Sequence, residues 1–437
     1  MINFLVILLL CIMDQIRINL VGFVSVLDIF VLIYAVLYVI QNRGMGIFAR
    51  DKEILTVSKL FAALVVVQVV SEILVDNSLA NAAKGLGVTV VCYIKFLFLL
   101  GLFFRNKSNL AIFLLGTLIA NILFFRTNDF FGLGEMNVAS EDIATGEGVA
   151  MAYFKYKISP LVNSSLILAS IYFKRIRFAW VLAAVGLLTI VLGARSSGLV
   201  LLIAGVAPLL IYHKFRWNRK RIAVCLALVV MAAGYGYKAY VNSVLTGEIN
   251  SGNSQKQLAS VSNPYNALEL FKQGRTEVYV GALAFTESPW VGWGAWPRDP
   301  GLKYNALQSY IQGKRMDRSK FFSETIPTHS VIVGYAVYNG IFAVLLAMAI
   351  IWFFFRRGVS TLHTRNIFVF LVVSTLANMV WDTLFSPVST VRFQFVLYFA
   401  SIYYIYKVIQ YPELARKYGY ITDDTAEKRT ACAVVHT

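Results

Sequence analysis

The sequence predicts an all-α polytopic membrane protein of about twelve transmembrane helices carrying one large helical loop. Two observations predict the class. Hydrophobic types make up 58% of the 437 residues and charged types 14%, with a mean hydropathy of +0.67. Soluble domains carry about 25% charged and 45–50% apolar residues. Apolar runs long enough to cross a ~30 Å hydrocarbon layer also recur from one end to the other. A third observation sets orientation. Forty Lys+Arg against 23 Asp+Glu give a net charge of +17, and these basic residues are unevenly placed. Seventeen fall on one set of alternate short loops and seven on the opposite set. Basic residues collect in cytoplasmic loops, so the excess reads as topology, and no nucleic-acid partner is expected.

The expected spans are 3–13, 20–41, 57–76, 85–104, 109–125, 159–173, 177–194, 198–213, 222–241, 330–355, 366–385 and 390–409. The first is short enough to be a re-entrant or partial segment. No basic stretch precedes it in Met1-Ile2-Asn3-Phe4, so a cleaved signal peptide is not expected. Cys11, Cys92 and Cys225 fall inside apolar runs and Cys432 in the polar tail. Their scatter predicts packing residues rather than disulfides or a metal site.

The chain reads as a single integral membrane domain, with two long loops on the face opposite the basic one. Loop 126–158 carries Asp129, Glu135, Glu141, Asp142 and Glu147. Loop 242–328 is far longer than the ~12–15 residues beyond which loops are usually functional or disordered. Apolar spacing in Ala267-Leu268, Leu270-Phe271 and Tyr279 to Phe285 predicts helices lying on the membrane. Trp290, Trp293 and Trp296 follow, and indoles favour the headgroup level. The tail 411–437 lies on the cytoplasmic side.

Phosphate-binding glycine loops, GxSxG turns and metal-ligand spacings are all missing, so neither a metal nor another cofactor is expected. Of four histidines, His213, His363 and His436 sit in or near the basic face or the tail. Only His329, in Pro327-Thr328-His329-Ser330, lies where the long loop re-enters the membrane. It suits proton transfer near neutral pH, or it simply neighbours a helix cap. Arg195, in the short turn Gly193-Ala194-Arg195-Ser196-Ser197-Gly198, is suited to an anionic ligand or to snorkelling toward lipid phosphates. Arg275 opens an amphipathic helix and grips an anion or pairs with Glu269 or Glu277. Lys95 lies mid-span, where an ionisable group is costly. It forms either a structural pair with a carboxylate or part of an ion pathway. Glu72 and Asp382 lie near the ends of their spans.

Three segments occur in order: GARSSGLVLLIAG, then GRTEVYVGALAFTESPWVGWG, then PTHSVIVGYAVYNGIFAVL. Together they resemble the signatures of the O-antigen polymerase/ligase superfamily of bacterial polysaccharide assembly. The motifs span roughly 190–345, and the topology resembles the family over the whole chain. The resemblance implies a membrane-embedded, GT-C-like glycosyltransferase in the inner membrane, its site facing the periplasm. It implies that Arg195 and Arg275 grip the diphosphate of a polyprenyl-linked glycan and that His329 is the base for the acceptor hydroxyl. Arg392, in Ser389-Thr390-Val391-Arg392, is a further anion contact. The implied partners are polyprenyl-diphosphate-linked donor and acceptor, membrane lipids and a chain-length regulator. The re-entry motif has no second histidine, which favours a Wzy-type polymerase over a ligase acting on lipid A–core. A transporter or flippase for lipid-linked sugars is the rival of another class, though no repeat pair is visible.

Cysteines placed at Ser251 and Asn137 should react with an impermeant thiol reagent in intact spheroplasts. Protection of both would reverse the orientation.

Overall fold

The computed structural model describes residues 2–19, 23–42, 51–124, 158–191, 195–212, 234–248, 261–266, 275–311, 325–363 and 366–410, with single positions 231, 255, 258 and 269. The expected loop 126–158, all but residue 158, lies outside them, as do most of the span 222–241 and the tail 411–437. The described chain is mostly helical, with one two-stranded hairpin and an isolated bridge between Arg298 and Thr325. Three helices are long and apolar enough to cross a membrane: α3 (Lys52–Leu74), α4 (Leu79–Arg105) and α11 (Val331–Thr361). Around them are shorter apolar helices: α1 (Ile2–Gln15), α2 (Val26–Asn42), α5 (Asn109–Leu123), α6 (Ser159–Phe173), α7 (Phe178–Val191), α8 (Arg195–Tyr212), α12 (Val369–Phe385) and α13 (Gln394–Gln410). The long loop supplies α9 (Thr276–Glu287) and α10 (Lys303–Ile311).

One end of the bundle is fixed by charge. Asp51 caps α3, accepting from the Glu53 N–H at 2.9 Å, and also takes the Tyr403 hydroxyl at 2.9 Å. Glu53 pairs with Arg357 at 2.9 Å and Lys407 at 2.8 Å. The starts of α3, the end of α11 and the end of α13 thus lie at one level. Inward from it runs an aromatic core in which Phe354 stacks on Phe399 with centroids 4.1 Å apart.

The other end is set by Glu72, about 28 Å further along α3 at 1.5 Å per residue. Helix α11 is two helices meeting at Gly340, whose φ of 76° and ψ of −171° are left to glycine. The break frees backbone groups, and segment 289–294 takes them up. Trp293 N–H donates to the Val337 carbonyl (2.7 Å), Gly294 N–H to Tyr338 (2.8 Å), and Ile341 N–H to Pro289 (2.9 Å). A Cβ on Gly340 would collide with the Trp290 carbonyl. Glu72 locks the assembly by accepting from the Ala295 N–H (2.8 Å), Asn77 (2.6 Å) and Asn339 (3.3 Å).

At Gly340 the chain turns back on itself. Tyr335 lines one apolar pocket with Ala347, Ile350, Val391 and Phe395. A continuous helix would place Tyr335 and Ile350 about 22 Å apart along its axis. Gly334 packs on Val388, while Gly340 sits beside Trp290 near the Glu72 level. The first half of α11 therefore descends beside the second, and its N-terminus lies near half depth.

Two helical hairpins also stop there. Helix α1 runs parallel to α5, with Asn3 bonded to Asn109 at 2.6 Å and Gln15 to Asn121 at 3.2 Å. Its tip is the antiparallel pair β1 (Arg17–Asn19) and β2 (Phe23–Ser25). Where a helix was expected from residue 20, strand β2 intervenes and α2 begins at Val26, because Ser25 and Asp28 cap it reciprocally. Asp28 N–H donates to Ser25 Oγ (3.0 Å) and Ser25 N–H to Asp28 (3.1 Å). The tip meets α4 at Lys95, about 15 Å from Arg105. The α12–α13 hairpin turns through a 3-10 helix, Val388–Arg392. Its Phe393 lies about 21 Å along α13 from Lys407.

Glu72→Ala would strand the buried Ala295 N–H, at about 1–3 kcal/mol, and take one acceptor each from Asn77 and Asn339, which keep the Ala295 carbonyl and Ser71 Oγ. The thermal midpoint of the purified protein should fall by several degrees, and less for Glu72→Gln. An unchanged midpoint in Glu72→Ala would show that the carboxylate does not hold this end together.

Candidate functional site

The site is built where the first half of α11, the end of α12 and the start of α9 meet. Ser330 caps α11, accepting from the Val333 N–H at 3.4 Å, and its hydroxyl donates to the Thr383 carbonyl at 3.2 Å. That bond fixes the neighbouring His329, which is exposed, against the end of α12. Helix α9 packs on the same motif through Gly281, where a Cβ would meet Val333 and the Pro327 carbonyl. The Trp293 indole donates to the Ala284 carbonyl at 2.8 Å and holds α9 in place.

Arg275 stands immediately before α9. Its guanidinium lies 4.6 Å from the Phe385 ring centroid and 5.5 Å from that of Trp381. Arg275 and His329 thus come to the same end of α12. Between Trp381 and Thr383 lies Asp382, a buried carboxylate that accepts from Ser386 Oγ at 2.7 Å and from the Tyr398 hydroxyl at 2.9 Å. Both of these partners are neutral hydroxyls.

Arg392 closes the 3-10 turn after α12, 4.6 Å from the Phe393 centroid. Arg17 approaches the same ring at 4.4 Å and Lys95 at 5.9 Å. Arg195 is the first residue of α8 rather than part of the preceding turn, and its side chain lies outside the described residues. Helix α8 packs on α12 and, through Gly198 and Gly205, against the backbone of α7. The opening of α8 is therefore tied to the helix that ends at the site.

Lys95, 1% exposed, pairs with Asp14 at 2.5 Å and Asp28 at 3.0 Å, neither of them the Glu72 or Asp382 that the sequence singled out. Their signal was faint: each carboxylate lies at the edge of an apolar run, with Arg17 between them. Glu72 is structural, as described above. Two of the three indoles expected at a headgroup level are half-buried against other parts of the chain. Trp293 is held by Ala284, and Trp296 packs 5.5 Å from Tyr338. Only Trp290 is exposed, beside Phe342. Lys303 donates to Glu287 at 2.5 Å, tying α9 to α10 and holding that carboxyl below its ordinary range. Among the described residues, no group of three or more His, Cys, Asp or Glu is placed to hold a metal ion.

No protein-family model matches the chain, and no curated protein matches it. The chemistry of the site therefore rests on its own residues.

Lys95→Met would leave the buried Asp28 and the half-buried Asp14 without their cation and should cost about 3–5 kcal/mol. Adding Asp14→Asn and Asp28→Asn should recover part of that loss. A triple variant as unstable as the sum of its single changes would show that the three groups act independently.

Proposed function

We propose that the protein is a polymerase of polyprenyl-diphosphate-linked oligosaccharides, acting as an O-antigen polymerase in the bacterial inner membrane with its site open to the periplasm. One observation carries the reading: an exposed histidine and an aromatic-bound arginine converge on the end of one helix, with Arg392 at the turn that follows. The order and spacing of the three segments that resemble the polymerase/ligase superfamily support it, as does the basic excess on the opposite loops.

In this reading the acceptor sugar hydroxyl attacks the anomeric carbon of the donor. The new carbon–oxygen bond forms as the bond to the diphosphate breaks, which inverts that centre. The hydroxyl proton passes to His329, and the polyprenyl diphosphate leaves carrying its electron pair. Arg275, Arg195 and Arg392 hold the charge that develops on the leaving group. A charge-assisted hydrogen bond is worth about 1.5–3 kcal/mol, and donors fixed before the reaction spend nothing on reorganisation. A positioned base adds about 10²–10⁴-fold. The aromatic rings of Trp381 and Phe385 orient the Arg275 guanidinium, whose planar fork suits phosphate oxygens. The mechanism calls for no metal ion.

Arg275→Ala should weaken donor use, while His329→Ala should spare donor binding and lower turnover by about 10²-fold or more. Lysine at position 275 should rescue only in part, because an ammonium lacks the planar fork. Polymer of wild-type length in both alanine variants would sink the assignment.

Loss of the gene should leave lipid A–core capped by a single repeat unit, since ligation still acts on unpolymerised donor. Long chains accumulating on the polyprenyl carrier beside bare core would make the protein a ligase instead.

A further inference from the structure

We propose that the turn between α6 and α7 is a binding surface for the headgroup of an anionic phospholipid, gripped by Lys174, Arg175 and Arg177. All three side chains are exposed. Among the described residues, none of them takes part in an ion pair or a side-chain hydrogen bond. Arg357 and Lys407, by contrast, are paired with Glu53 and Asp51. The surrounding chain supplies no carboxylate to the turn, since no Asp or Glu occurs between Glu147 and Glu248.

The backbone holds these cations in a fixed array. Helix α6 ends on Lys174, whose φ of 53° and ψ of 35° lie in the left-handed region that glycine or asparagine usually takes at a helix end. The Lys174 and Arg175 N–H groups both donate to the Ser170 carbonyl, the latter at 3.1 Å. As α7 begins, the Trp180 N–H donates to the Arg177 carbonyl at 3.0 Å. Ile176 packs against the main apolar core, while its neighbours Arg175 and Arg177 are exposed. A lysine kept where glycine would be relaxed is backbone strain of the kind that gathers at ligand-binding positions.

The flanks of the turn fit a membrane surface better than a soluble anion. Tyr172 and Phe173 just before it and Trp180 just after it are each more than half exposed. Phenol and indole rings favour the headgroup level of a bilayer. Trp293 and Trp296 are half-buried against other parts of the chain, whereas Trp180 is 62% exposed and adjoins the three cations. Basic residues at that level attract anionic lipid, each worth about fivefold in affinity near the surface. An arginine fork also matches the oxygens of a phosphodiester.

The test uses the purified full-length protein in an uncharged detergent, titrated calorimetrically with dioctanoyl phosphatidylglycerol. Dioctanoyl phosphatidylcholine is the zwitterionic control and inorganic phosphate the soluble one. Phosphatidylglycerol should bind in preference to phosphatidylcholine, and more weakly in high salt. Lys174→Gln, Arg175→Gln and Arg177→Gln together should weaken phosphatidylglycerol binding about tenfold or more, and each alone about fivefold. The single variants report on the surface even if the triple one does not fold. Lys174→Gly relaxes the left-handed position, so it should raise the thermal midpoint while lowering phosphatidylglycerol affinity. A lysine that served only to end α6 would lose no affinity on that change. Wild-type affinity in the Gln variants and in Lys174→Gly would overturn the proposal, as would phosphatidylglycerol binding no better than phosphatidylcholine. Displacement of the lipid by an equal concentration of inorganic phosphate would also overturn it, making the turn a site for the soluble anion.

Discussion

The interruption of α11 at Gly340 is the constraint on which the rest of the structure depends. A helix broken inside an apolar bundle exposes carbonyls and N–H groups that cost several kcal/mol each if left without partners in lipid. Segment 289–294 meets that cost with three backbone hydrogen bonds. Glu72 then fixes the segment to α3 by accepting from Ala295 and from Asn339 on α11 itself. Once this joint is satisfied, the first half of α11 is free to descend, and Ser330 can reach Thr383 at the end of α12. Without the joint, His329 would stand beyond the end of the bundle, far from α12.

The joint also explains why short helices suffice around three long ones. The α1–α2 and α12–α13 hairpins rise from the end fixed by Asp51, Glu53, Arg357 and Lys407 and stop near half depth. The half-helix of α11 comes down from the other end to the same level. Polar tips thus meet polar tips: Lys95 with Asp14 and Asp28, Arg17 and Arg392 at Phe393, Arg275 above Trp381 and Phe385. Each tip alone would be a buried polar group of high cost. Where Lys95 meets Asp14 and Asp28, the three groups offset one another's cost.

Much of this was legible in the sequence because apolar run length and periodicity are local. Helices α6 and α12 end at the residues that their runs give, and Arg275 does open a helix. The re-entry motif is likewise a cap, with Ser330 as its capping residue. What the sequence did not display was depth. The run 330–355 is continuous in hydropathy, and only Gly340 within Tyr338-Asn339-Gly340 marks the reversal, a cue shared by any glycine-bearing helix. The partners of Lys95 were equally hidden, since Asp14 and Asp28 look like the polar borders of two spans until the hairpin is seen to stop half-way. The contacts of Trp293 and Trp296 were hidden too: the first indole holds α9 and the second packs on Tyr338, in the segment that seals the broken helix.

The reversal at Gly340 is tested most directly by an intramolecular distance. Spin labels at Ile332 and Trp352, in a background lacking the four native cysteines, report it by pulsed dipolar spectroscopy. A half-helix folded back beside its partner predicts a distribution centred well below the about 30 Å of an unbroken helix. A narrow peak at about 30 Å would mean that α11 runs straight through Gly340, and His329 would then stand outside the site described here.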